Sequence, residues 1–357
     1  MDYSDLTVDW TRYVLSFERP AQTSRDTLKK RVVWFVILRS RSLDRFGIGE
    51  CAPISGLSID RLGCIERQLT EICRRPRDYL ENLEDSLSAY PSLRFALEMA
   101  WRDLDNQGNR ILYPSSFTSG AETVKINGLI WMGDPDYMLA QIERKLAEGW
   151  KCIKMKVGGI TFDQELELLA RIRKAYDAGQ LELRVDANGA FGADEAVGKI
   201  RKLAEYDLHS IEQPLRPGNW PVMERLCRES PVPVALDEEL VFVTSTEQSA
   251  KMIHEVRPQY LVLKPSLLGG FKVCERWIGL AEAENVKWWI TSALESNVGL
   301  NAIAQWTHHL GPKGHQGLGT GELYSNNIPS PLSHRRGELR YSPAAVWDLS
   351  VITGEGG

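Results

Sequence analysis

The sequence predicts an α/β protein, a (β/α) barrel preceded by an N-terminal α+β capping domain. Three observations predict it. From Val124 onward, short apolar runs alternate with helix-length segments, the pattern of repeated βα units around a parallel sheet. A polar residue stands near the end of successive runs: Lys156, Asp186, Glu212, Asp237 and Lys264 follow at intervals of 30, 26, 25 and 27 residues, close to the roughly 30 residues per unit of a (β/α)8 barrel. No run is followed by the G-x-G-x-x-G of a dinucleotide-binding sheet, and G-L-G-T-G at 317–321 lacks the third glycine at the required offset.

In chain order, the first third reads as a mixed unit. The apolar run at 32–38 is a strand, F-G-I-G-E-C-A-P at 46–53 reads as a turn, and helical patterns follow at 58–75 and 92–105. Residues 107–120 have the Gly, Ser and Pro content of a linker. The capping domain is therefore placed at 1–120, the barrel at 121–318, and a C-terminal segment packing back toward the cap at 319–357. Seven strand candidates fill the barrel region, at 124–131, 150–158, 181–189, 208–215, 233–240, 259–266 and 286–294. Between two of them, Phe162, Leu166, Leu169, Ile172 and Tyr176 recur at helical spacing.

Composition narrows the function. The chain has 357 residues, 43% hydrophobic and 25% charged, with a formal net charge of −5, which suits a small-molecule partner better than nucleic acid or an anionic membrane. The longest early apolar run, V-V-W-F-V-I-L, is far shorter than a membrane span. The opening residues lack the layout of a signal peptide. The six cysteines form no C-x-x-C pair, so neither a zinc site nor a disulfide framework is expected. A cytoplasmic enzyme fits these features, and an oligomer is compatible with them.

In K-C-I-K-M-K-V-G (151–158), strand alternation puts Ile153, Met155 and Val157 on one face and Cys152, Lys154 and Lys156 on the other. In a parallel barrel, residues at strand C-terminal ends meet at one mouth. That mouth would gather Lys154 and Lys156, then Asp186 with Asn188, Glu212, Asp237 with Glu238, and Lys264. Any one of these carboxylates is more often a cap or a surface ion pair, and only the ordered set points to chemistry. Three carboxylates from adjacent strands repel unless a cation sits among them. Hard oxygen ligands without His or Cys point to Mg²⁺ or Mn²⁺. Lys154 crowded against Lys156 beside that ion would lower a lysine pKa toward the range of a useful base. The matching acid is a carbon next to a carboxylate. A racemase, a Schiff-base aldolase and a non-enzymatic binding protein are the alternatives. His308, His309, Trp288 and Trp289 read as structural.

K-M-K (154–156), D-A-N (186–188), I-E-Q-P (211–214), L-D-E (236–238) and L-K-P (263–265) resemble the enolase superfamily and, within it, the muconate-lactonizing-enzyme subgroup. F-G-I-G-E-C-A-P and R-F-A-L-E resemble its capping domain. T-S-A-L-E-S-N-V-G-L (291–300) and G-L-G-T-G-E-L (317–323) are most similar to the o-succinylbenzoate synthase family. Dipeptide epimerases of the subgroup carry Asp-x-Asp where this chain has Thr320, Gly321 and Glu322.

The resemblance implies a modified TIM barrel, (β/α)7β. It also implies a Mg²⁺-dependent syn dehydration that yields o-succinylbenzoate for menaquinone synthesis, with Mn²⁺ as a possible substitute. Lys156 would be the base, Lys264 the opposed cation, and Asp186, Glu212 and Asp237 the metal ligands, supported by Asn188, Glu238 and Arg184. Ser292, Glu295, Ser296 and Gly321 would meet the substrate. P-A-Q-T-S-R (20–25) resembles the loop that closes over it, which adds Arg25. Glu239 departs from the Ser or Thr frequent in relatives.

Overall fold

The computed structural model describes residues 5–22 and 27–354; Arg25 lies outside them. The capping unit is a three-stranded antiparallel sheet of Leu6–Gln22, Thr27–Ser40 and Arg45–Cys51. The helices Ile65–Arg74 and Pro91–Asp105 pack on it around Trp34, Val36, Leu38, Leu69 and Leu97. The expected turn at F-G-I-G-E-C is instead the third strand. Its glycines serve packing, not chain reversal: a Cβ at Gly47 would meet the Ala100 carbonyl oxygen at 1.9 Å, and one at Gly49 that of Ala96 at 1.8 Å. Without side chains there, the helix lies directly on the strand.

All seven barrel candidates form parallel strands, in order Gly128–Ile130, Cys152–Lys156, Glu182–Asp186, Ser210–Glu212, Val234–Leu236, Tyr260–Leu263 and Lys287–Ile290. An eighth, very short strand closes the ring. Gly317 N–H donates to the Ile290 carbonyl at 2.8 Å and Gln316 N–H to that of Lys125 at 2.9 Å, with parallel bridges Thr291–Gly317 and Ile126–Gln316. The architecture is thus (β/α)7β. Ile153, Met155 and Val157 are fully buried in the shell between strands and helices, so Cys152, Lys154 and Lys156 face the barrel axis.

V-K-I-N-G-L-I-W is divided between two sheets. Val124–Lys125 joins the hairpin Leu332–Arg335 and Glu338–Tyr341, and only Gly128–Ile130 enters the barrel. The C-terminal segment also meets the first cap strand: Ser325 N–H donates to the Ser16 carbonyl at 3.0 Å, and Phe17, Tyr324, Ile328 and Ile352 share a core.

Three buried side chains fix the cap on the barrel. Glu98 accepts from the Phe271 and Lys272 amides at 2.6 and 3.2 Å. Arg31 donates to the carbonyls of Ala52, Ala293 and Leu294. Glu50, fully buried, accepts from Ser296 N–H at 2.8 Å, Ser296 Oγ at 2.6 Å and Gly299 N–H at 2.8 Å. Burial pushes the Glu50 carboxyl from the ordinary 4.5 up to about 7 against the pull of those donors.

Glu50→Gln puts an NH2 group where one oxygen accepted, so it is expected to destabilise by about 1–3 kcal/mol. Because the folded-state pKa is raised, the stabilisation from Glu50 is complete below pH 4.5 and declines as pH rises to about 7. The gap between wild type and variant in urea melts should narrow across that window and then stay flat.

Candidate active site at the barrel mouth

The inward faces of consecutive strands bring the expected lysines and carboxylates together. Lys154 Nζ donates to both Glu212 oxygens at 2.8 and 2.9 Å and lies 3.0 Å from Asp186 Oδ2. Lys156 Nζ donates to the same Asp186 oxygen at 3.1 Å and to Asn188 Oδ1 at 2.6 Å. Lys264 donates to Asp237 Oδ2. Asn188 Nδ2 continues to Glu238 Oε1 at 3.1 Å. Asp186, Glu212 and Asp237 are at most 2% exposed. The site is therefore dry enough for its charges to act strongly on one another.

The two lysines do not meet as bare like charges, because the Asp186 carboxylate stands between them. The sequence casts Lys154 as the residue that tunes Lys156, and the ammonium of Lys154 is itself firmly held. Burial alone would lower it, but Asp186 and Glu212 outweigh burial and hold its ammonium well above the ordinary lysine range. Lys264 is raised in the same way: burial is overcome by Asp237 and Glu238. Burial pushes Asp186 up, yet Lys154 and Lys156 together carry it far below. Glu212 and Asp237 go the other way. Glu212 is raised by burial and then by Asp186, and Asp237 chiefly by burial despite Lys264. Two of the three carboxylates are short of positive charge. An all-oxygen donor set in that condition fits a hard divalent cation held by Asp186, Glu212 and Asp237.

A cavity of about 170 Å³ lies against this cluster. Lys154, Lys156, Asp186, Asn188, Glu238 and Lys264 form one side; Asn127, Leu129, Trp131, Thr291, Ser292 and Thr320 form the other, and Leu28, Ile54 and Leu57 of the cap cover it. Ser292 and Thr320 are joined by a 2.8 Å hydroxyl bond.

Other expected residues are engaged elsewhere. Glu295 and Ser296 are fully buried below the wall. Glu295 accepts from Ser266, Ser292 and the Ala293 amide, and Ser296 is bound to Glu50, so both shape the loop rather than face the cavity. Gly321 also lies outside the lining. Arg184 points into the barrel floor, where Nε donates to Glu182 at 2.7 Å and the guanidinium lies 4.4 Å from the Trp289 ring centroid. Cys152 and His315 also reach Glu182, at 3.4 and 3.2 Å. Their ligand atoms fall within 4.8 Å of one another, and the Arg184 guanidinium supplies the positive charge of that group.

Two residues without an assigned role in the sequence brace the carboxylates. Gln213, φ 36°, accepts with Oε1 from the amides of Asp237 and Glu239 at 3.1 and 3.2 Å. Glu239 accepts from Gln213 Nε2 at 3.2 Å and Gly218 N–H at 2.8 Å. The Glu239 departure therefore has a structural function: it ties two strand-end loops together. His308, stacked on Phe117 and 2.9 Å from Glu122, is structural as expected.

A family model described as enolase C-terminal domain-like matches residues 137–344. The chain belongs to the enolase superfamily. Among enolase-superfamily relatives, it is 45% identical to the o-succinylbenzoate synthase of Desulfotalea psychrophila over 95% of this chain and 100% of that one. It is 28% identical to the L-Ala-D/L-amino acid epimerase of a Maribacter species over 59% and 58% of the two chains. The crystal structure of MenC from Desulfotalea psychrophila superposes with a TM-score of 0.83 at 42% identity, covering 94% of this chain and 99% of that one. A dipeptide epimerase from Cytophaga hutchinsonii superposes at 0.82 with 19% identity over 98% of each chain and supports the fold alone.

Proposed function

We propose that this protein is an o-succinylbenzoate synthase, dehydrating 2-succinyl-6-hydroxy-2,4-cyclohexadiene-1-carboxylate to o-succinylbenzoate in menaquinone biosynthesis. The observation that carries it is the 45% identity along the whole of the Desulfotalea synthase. The site chemistry agrees, with lysines flanking three carboxylates in a buried mouth.

Asp186, Glu212 and Asp237 hold Mg²⁺, for which Mn²⁺ can substitute. When bound, that ion stabilises the negative charge that develops on the substrate carboxylate. Lys156 removes the proton α to that carboxylate, and the electron pair of the broken C–H bond delocalises into an enediolate. Lys264, protonated beside Asp237, stabilises that charge from across the mouth. The enediolate then collapses to form the ring C=C while the C–O bond breaks. The Lys156 ammonium returns its proton to the departing hydroxyl, which leaves as water. Entry and exit on one lysine make the elimination syn. Ser292 and Thr320 meet the succinyl tail.

The epimerase alternative needs a group to hold a substrate ammonium. Across the cavity from the lysines, the described residues of the wall include Asn127, Thr291, Ser292 and Thr320 and no carboxylate, which favours the synthase. Incubation with the cyclohexadiene substrate should give o-succinylbenzoate with Mg²⁺ and none with excess EDTA. Deuterium entry from solvent into an α-carbon without loss of water would instead select the racemase. Activity that survives EDTA would select a Schiff-base mechanism.

A further inference from the structure

Asn127 sits on the inward face of the segment that leads into the first barrel strand, next to the eighth. It is 4% exposed and lines the cavity with Lys156 and Lys264. Its backbone N–H donates to the Gln316 carbonyl at 2.9 Å, and its carbonyl oxygen lies so close to Gly319 that a Cβ there would meet it at 3.1 Å. Its side-chain oxygen is buried and has no hydrogen-bond partner among the described residues. A buried acceptor left in that state carries an uncompensated desolvation cost, and such a cost is retained where a ligand later meets the group. Gly317 and Gly319 line the same cavity.

Resting on the synthase reading above, chemistry then selects the partner. At neutral pH both carboxylates of the substrate are ionised and its ketone only accepts. The ring hydroxyl is the one O–H that can donate. We propose that the Asn127 side-chain oxygen accepts a hydrogen bond from the departing hydroxyl and turns its lone pairs toward Lys156, on the adjacent strand. As Lys156 delivers its proton, the hydroxyl oxygen becomes more acidic and the bond to Asn127 strengthens. The contact therefore stabilises the transition state more than the bound substrate and acts mainly on kcat.

Steady-state kinetics of Asn127→Leu and Asn127→Asp, with calorimetric binding of o-succinylbenzoate, test this. The leucine variant is expected to lose roughly 10–100-fold in kcat/KM, mostly in kcat. Its affinity for the product, which lacks the hydroxyl, should barely change, and its thermal midpoint should hold or rise because an unpaired buried acceptor is gone. The aspartate variant keeps an oxygen in place and should retain more activity than the leucine variant. An active leucine variant, an equal loss of product affinity, or a lowered thermal midpoint would each overturn the assignment. A wild-type protein that does not dehydrate the substrate would instead refute the synthase reading beneath it.

Discussion

Replacing Lys156 with alanine is expected to reduce dehydration by roughly 10²–10⁴-fold, the range for removal of a general acid–base group, while Mg²⁺ still binds. The expectation follows from how the lysines are held. Lys154 is clamped by both oxygens of Glu212 and by Asp186, which keeps its proton in place and makes it a poor base. Lys156 shares one Asp186 oxygen and otherwise leans on the neutral Asn188 amide, and both Lys156 and Asn188 line the cavity. The measurement is single-turnover dehydration beside calorimetric Mg²⁺ titration. A Lys156→Ala enzyme with near wild-type turnover would move the base elsewhere, and one that also lost Mg²⁺ would show that the residue organises the carboxylates rather than the proton.

The same geometry explains which parts of the site were legible in the sequence. Strand alternation has a period of two, so Lys154 and Lys156 had to share a face with whatever Asp186 and Glu212 faced, and parallel pairing brings Lys156 opposite Asp186 and Asp186 opposite Glu212. Loops have no such period. Ser292, Glu295 and Ser296 look equally suited to a ligand on paper, but only Ser292 reaches the cavity. Ser296 is taken by Glu50, 246 positions away. That contact belongs to the way two units dock, and no local pattern carries it. Gln316–Gly317 was too short to register as a strand; it became one because two open edges flank it. At Gly47 and Gly49 the turn signal and the packing signal are the same residue type, and only the neighbouring helix decides between them.

Asp237→Ala is expected to weaken Mg²⁺ by at least roughly 100-fold, since it deletes one of three anionic oxygen donors for a cation that binds few protein ligands, and to destabilise the fold as well. The second effect comes from Lys264. Its ammonium is hydrogen-bonded to Asp237, and its side chain is only 15% exposed. Removing one partner of a buried pair leaves an uncompensated charge and costs about 3–5 kcal/mol. The two losses can be separated. Lys264→Met in the Asp237→Ala background removes the stranded charge, so the double variant should regain much of the urea stability while its Mg²⁺ affinity stays low. The non-additive part of that cycle is the energy of the pair. If the double variant recovered Mg²⁺ binding along with stability, the loss in Asp237→Ala would have been a folding effect, and Asp237 would no longer count among the metal ligands.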